Sequence, residues 1–264
     1  MNDYGDDLFK GTAAYYSKYR PMYPPTLIRF LIEKFNLNGK GKMLDIGCGT
    51  GQLTVRFSDW FEKIVAIDTD PEMLLVAKRL CEELRVDNIE FFNASLKNYQ
   101  NRNHESFTLV TIAKAFHWLD REETLKTLYE LLPDQGGVAI IDQYSPNNEL
   151  LPWQEKLNEV VRHWYGEERR AGNATYTHPT LSHQEVVLNS PFLLEEYQLP
   201  SYEHVWSIDS IIGNLYSTSY GTHRFLGEKK DQFEKHLREE LLAIDESGVF
   251  KEEMTLSVLL AMKK

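Results

Sequence analysis

Apolar positions along the first 144 residues fall in short runs, separated by stretches of helical periodicity. Leu27, Ile28, Leu31, Ile32 and Phe35 follow Pro24-Pro25 at i, i+1, i+4, i+5 and i+8. They share one helical face, with proline suited to the first turn. Residues 42–47 predict a short buried strand, and residues 50–61 a helix carrying Leu53, Val55, Phe57 and Trp60. A second strand is expected over 64–67. A strong helix spans 71–84, where Met73, Leu74, Ala77, Leu80, Cys81 and Leu84 repeat at helical spacing behind Pro71. Residues 89–92 and 107–112 read as third and fourth strands. Asp120 is placed to cap a helix over 121–132 that Pro133 stops, and Gly136-Gly137 leads into a fifth strand over 138–141.

Continuous β-branched runs separated by helices imply parallel strands covered on both faces. The expected fold is α/β: a doubly wound, mostly parallel seven-stranded sheet with helices on both faces. Such a sheet binds ligands beyond its strand C-termini. After Tyr144 the rhythm changes. Ser145-Pro-Asn-Asn148 signals a loop, and residues 151–244 look mostly helical. Residues 192–199 supply a further strand, and residues 254–262 a last one that closes the sheet edge.

The chain has 264 residues and a formal net charge of −11, which leaves no overall electrostatic footprint for nucleic acid or an anionic membrane. Two cysteines, Cys48 and Cys81, make neither a disulfide framework nor a CxxC metal spacing. The histidines lack metal-ligand spacing as well, so no metal is expected. Without a secretory h-region or a long apolar run, the expected location is cytoplasmic.

The richest chemistry lies in Asp45-Ile-Gly-Cys-Gly-Thr-Gly51. Gly47, Gly49 and Gly51 form G-x-G-x-G between a strand and a helix, where glycine lets the backbone turn sharply and approach a ligand. Asp68 ends the next strand, in the place where an acid accepts two ribose hydroxyls. The glycine spacing differs from the phosphate-cradling G-x-G-x-x-G. Asp45, two residues before the first glycine, would repel a pyrophosphate but suit a cationic amino group. A ligand with a ribose, a positive charge and no phosphate meets both conditions, as S-adenosylmethionine does.

Leu44-Asp-Ile-Gly-Cys-Gly-Thr-Gly-Gln52, followed by Ile67-Asp-Thr-Asp-Pro-Glu-Met-Leu74, resembles the Rossmann-like class I S-adenosylmethionine-dependent methyltransferases. Tyr19-Arg-Pro-Met-Tyr-Pro24 and Ala115-Phe-His-Trp-Leu-Asp120 are similar to the small-molecule branch that contains trans-aconitate methyltransferase, as is Tyr216-Ser-Thr-Ser-Tyr220. The resemblance implies that Gly47, Gly49 and the backbone of Cys48 flank the methionine part of the cofactor, with Asp45 toward its ammonium. It implies Asp68 on the ribose, Thr69 against the adenine, and Ala94 and Ser95 near the adenine amino group. The carbonyl of Lys114 would also meet the cofactor.

Read in that frame, residues 1–40 are an N-terminal lid and first helix, and 41–144 the cofactor-binding core. Residues 145–190 are a helical cap insertion for the acceptor, and 191–264 complete sheet and cap. Tyr15 and Tyr19 suit a lid whose aromatic faces attract a cation, and Arg20 suits the cofactor carboxylate. His117 and Trp118 follow the fourth strand, as an acceptor wall with His117 a candidate base; Tyr216 and Tyr220 are further candidates for that pocket. The expected reaction is methyl transfer to a small-molecule acceptor. A carboxylate acceptor would need no base, which favours His117 as a wall. A non-catalytic cofactor-binding module and a nicotinamide oxidoreductase are the competing readings.

Overall fold

The structure is a computed structural model that describes residues 7–101, 105–143, 149–168, 170–172, 174–176 and 179–264. The loop signal at 145–148 lies outside them. The chain divides into two compact units with boundaries unlike those expected. One comprises residues 22–144, 178–201 and 255–264; the other comprises 1–21, 145–177 and 202–254.

The first unit is built on a seven-stranded sheet. Its strands are β1 (Lys42–Ile46), β2 (Lys63–Asp68), β3 (Ile89–Asn93), β4 (Leu109–Ala113), β5 (Gly137–Asp142), β8 (Leu193–Gln198) and β11 (Ser257–Met262). Their order is β3-β2-β1-β4-β5-β11-β8. β1 to β5 pair in parallel, and β11 runs antiparallel to both β5 and β8.

The expected architecture holds, with one correction of position. The last strand does not close the edge but inserts between β5 and β8. Val258, Leu260 and Ala261 of β11 are fully buried, whereas β8 carries Glu195 and Glu196. Burial of both faces selects the apolar strand for the interior, and charge blunts the edge.

Alternation along the strands sends side chains to two separate cores. Leu44, Val65, Val110, Val138 and Ile140 pack with Leu125 and Leu128 of α5 (Arg121–Leu131) and with Val186 and Val187 of α7 (His183–Leu188). Met43, Ile64, Leu109, Ala139 and Ile141 pack with Leu27, Ile28 and Leu31 of α2 (Pro25–Lys34). Helix α3 (Pro71–Leu84) matches its expected span, with Asp70 accepting from the N–H groups of Glu72 and Met73. Asp120 caps α5 as anticipated, accepting from Glu123 N–H.

The expected helix over 50–61 is instead a 3₁₀ helix, Thr54–Trp60. There Arg56 N–H bonds Leu53 C=O, three residues back, and Ser58 Oγ donates to Val55 C=O at 2.9 Å. The tighter i→i+3 pattern replaces the α ladder.

The second unit holds α1 (Ala13–Tyr19), α6 (Pro152–Tyr165), β6 (Arg170–Ala171), β7 (Ala174–Thr175), β9 (Tyr202–Ser207), α8 (Ile208–Tyr216), α9 (Lys230–Ile244) and β10 (Val249–Met254). β9 and β10 form an antiparallel pair that the expected helical stretch did not anticipate. Its Tyr-Glu-His-Val-Trp-Ser sequence alternates, and only Trp206 is fully buried, joining Trp153 and Phe250 in the unit's core. No helix among the described residues is long and apolar enough to cross a membrane.

Candidate functional site: a glycine loop at the strand ends

β1 is flanked by β2 on one side and β4 on the other, so the chain reverses its direction of progress across the sheet at this strand. The crevice beyond such a switch point is where open α/β sheets bind ligands. The loop leaving β1 occupies it. Gly47, Gly49 and Gly51 have φ of 67°, 53° and 77°, in the left-handed region that favours glycine.

Gly47 and Gly51 are also required by packing. A Cβ at Gly47 would lie 2.6 Å from Ala115 Cβ, and one at Gly51 would lie 3.1 Å from Ala77 Cβ. The loop after β1 therefore touches the segment after β4 directly. The N–H groups of Gly47 and Cys48 both donate to Ile67 C=O, at 2.9 and 3.2 Å.

Asp68 clasps this loop. One carboxylate oxygen accepts from Gly49 N–H at 2.8 Å, the other from Asp70 N–H at 2.9 Å. Burial pushes its carboxyl up from the ordinary range, while those two backbone donors oppose the shift. Each oxygen keeps a lone pair for a further donor.

Asp45 is held from below the loop. It is 1% exposed, and its two oxygens accept from Thr54 Oγ1 at 2.6 Å and Thr111 Oγ1 at 2.8 Å. These two hydroxyls fix the carboxylate under the loop. Burial raises its pKa to about 6 against the two hydroxyl hydrogen bonds. Cys48 is buried against Ala66 and Leu74, and burial pushes its thiol well up, so it is no nucleophile.

Farther along the same edge, Thr69 is exposed, while Ala94 N–H and the Asn93 side-chain amide both donate to Asp68 C=O. Ser95 Oγ accepts from Asn98 N–H and so caps α4 (Leu96–Gln100). Lys114, just past β4, has φ of 54°, a rare conformation for a residue with a side chain. Its Nζ donates to Gln143 Oε1 at 2.6 Å.

Residues 43–136 match the profile of a family described as a methyltransferase domain. This segment resembles a methyltransferase domain. Over 58% of the chain, it is 33% identical to an uncharacterized methyltransferase of Schizosaccharomyces pombe, covering 58% of that protein. It is 29% identical over 59% of its length to a probable S-adenosylmethionine-dependent methyltransferase of Saccharomyces cerevisiae, covering 53% of it. The chain spans little more than half the length of these relatives. A methyltransferase of Geobacter sulfurreducens, solved with S-adenosyl-L-homocysteine, shares the fold: TM-score 0.54, 17% identity, 97% of this chain and 98% of that one.

Within that segment, His117 and Trp118 stand in a 3₁₀ turn, Phe116–Trp118, that directly follows the Ala115 that meets the glycine loop; their rings lie 4.5 Å apart. Two groups that sequence reasoning had left out join His117. Asp142 ends β5, and His183 opens α7, with its ring nearly parallel to that of His117 at 6.5 Å. One candidate ligand atom from each of His117, Asp142 and His183 lies within 4.8 Å of the others. Asp142 was legible as a strand-end acid. His183 was not, because 66 positions of chain separate it from His117 and only the fold joins them.

The remaining predicted residues belong to the second unit. Tyr15 packs edge-on against Tyr216 at 5.3 Å and against His223 at 5.3 Å. The ring of Tyr19 lies over Gly213, where a Cβ would come within 2.2 Å of it. Arg20 donates to Ser217 C=O at 3.4 Å and lies over the Tyr16 ring. The lid segment is thus helical from Ala13 and packed within its own unit. Tyr216 is 1% exposed, and its hydroxyl donates to Glu234, which makes it a core residue and removes it from the pocket wall. Tyr220 lines a cavity with Tyr165, Arg162 and Arg170.

Proposed function

We propose that the protein transfers a methyl group from S-adenosylmethionine to a small-molecule acceptor. The observation that carries this reading is the pairing of Asp68 with the glycine loop. Two backbone donors fix a half-buried carboxylate, with spare lone pairs, at the switch point of the sheet. That arrangement fits a ribose with two hydroxyls. The methyltransferase relatives and the probable S-adenosylmethionine dependence of the yeast protein support the same cofactor.

Asp68 would hold the ribose, and the loop backbone at Gly49 would lie beside it. The sulfonium supplies an already activated methyl, so the protein has chiefly to align the acceptor with it and exclude water. Such positioning is worth roughly 7–11 kcal/mol. A net charge of −11 disfavours a nucleic-acid acceptor and supports a small molecule.

Calorimetric titration tests this reading. S-adenosylmethionine or S-adenosylhomocysteine binds and NADH does not. Tight NADH binding without affinity for either S-adenosyl ligand overturns the proposal and favours an oxidoreductase.

A further inference from the structure

We propose that His117, Asp142 and His183 form the acceptor end of the site, and that they are built for a phenolic hydroxyl rather than a carboxylate. The assignment rests on the methyl-transfer reading above and adds the substrate class and the division of labour.

The cluster follows β4 and β5, one and two strands from β1 on the same sheet edge. It is tied to the glycine loop through the Gly47–Ala115 contact.

Arg121 then separates the two histidines. Its Nη1 lies 2.9 Å from Leu181 C=O and 3.1 Å from His183 Nδ1. Arginine has no acceptor, so Nδ1 must accept, and the proton of the neutral ring sits on Nε2. Burial lowers the His183 pKa, Asp142 opposes that, and Arg121 adds to it, which favours this neutral form. His183 is therefore a donor and cannot take a proton at the site. Its Nε2 is 3.9 Å from Asp142 Oδ2, too far for a hydrogen bond.

The gap is sized for a guest. Three atoms no more than 4.8 Å apart leave a centre at most 4.8/√3, about 2.8 Å, from each. An oxygen at or just off that centre comes within hydrogen-bond distance of all three. The Arg121 cation beside His183 opposes a zinc ion at the same place.

A hydroxyl oxygen at that centre accepts from His183 Nε2–H and donates to His117. The Asp142 carboxylate would repel an anionic acceptor at the same place. As oxygen attacks the methyl carbon, the O–H proton passes to the His117 imidazole and the C–S pair stays on sulfur, leaving a neutral thioether. Asp142 offsets the imidazolium so formed. A phenol, with a pKa near 10, lies roughly 3.5 units above imidazole; an aliphatic hydroxyl lies far higher. The rings of Phe116, His117 and Trp118 supply aromatic walls.

The test uses the whole protein saturated with S-adenosylhomocysteine, with saturation checked by calorimetry. Phenol and benzoate serve as probes, and the imidazole resonances of His117 and His183 are followed by NMR. Phenol shifts both resonances, and benzoate binds at least tenfold more weakly. His183→Gln, which keeps an N–H donor, holds phenol within about threefold of wild type. His183→Ala loses about tenfold, and both variants keep their S-adenosylhomocysteine affinity. Equal or tighter benzoate binding overturns the assignment, as does phenol that moves neither resonance in protein that binds S-adenosylhomocysteine. Stoichiometric zinc binding abolished by His183→Ala overturns it in favour of a cation site. Failure to bind S-adenosylhomocysteine at all strikes the underlying methyl-transfer reading instead.

Discussion

The N–H of Gly49 donates to the carboxylate of Asp68 at 2.8 Å, joining the loop after β1 to the end of β2. Nineteen positions apart in sequence, the two residues meet because their strands are parallel neighbours. The bond orients the acid toward the crevice and restrains the loop's conformation.

Asp68→Ala should weaken S-adenosylhomocysteine binding tenfold or more in calorimetry. Two ribose hydroxyls on one carboxylate are charge-assisted bonds, each worth roughly 1.5–3 kcal/mol. An unchanged dissociation constant in a folded variant would remove Asp68 from the ribose.

Gly47→Ala should destabilise the domain by about 1–3 kcal/mol in urea unfolding, since the new Cβ meets Ala115 Cβ at 2.6 Å. The double variant with Ala115→Gly should recover the steric part. It should retain a penalty of about 1 kcal/mol for a φ of 67° in a residue with a side chain.

Asp45 makes stability depend on pH with a definite sign. Its folded pKa is about 6 against an ordinary 3.8. Between those values the unfolded chain has lost the proton and the native chain retains it, so stability falls as pH rises from about 4 to 6. The gap of about 2.2 units corresponds to a loss of about 3 kcal/mol, complete above pH 6. Asp45→Asn should flatten that decline, as read from urea unfolding at a series of pH values. An unaltered slope would assign it to another group.

His117→Ala should lower turnover of a phenolic acceptor by roughly 10²–10⁴ and abolish the acidic limb of the pH–rate profile. Asp142 from β5 and His183 from α7 face His117, with Arg121 of α5 behind His183. If only the acceptor KM rises while the acidic limb persists, His117 is a wall and not the base.

Tyr216→Phe should cost about 1 kcal/mol by deleting the bond to Glu234, and Tyr216→Ala about 3–5 kcal/mol by emptying a buried aromatic site. Thermal unfolding checks both. Near-zero costs would contradict its place in the core.

The sequence by itself determined whatever depends on neighbouring positions. The apolar runs of β1 to β5, the span of α3 behind Pro71 and the Asp120 cap were all legible there, because local spacing and capping are set within a few residues. The glycine loop and Asp68 were legible for the same reason, as a strand-turn-helix unit followed by the next strand's terminal acid. Only the tertiary structure decided that β11 lies inside the sheet and β8 at its edge. That order depends on which strand can bury both faces, a comparison between segments about 60 residues apart. The same holds for Tyr216, an aromatic whose pattern suits a pocket wall or a core until its neighbours are known. It holds most strongly for His183, whose partners Arg121, Asp142 and His117 come from three other elements. Neither its tautomer nor its distance from Asp142 exists until the sheet brings those elements together.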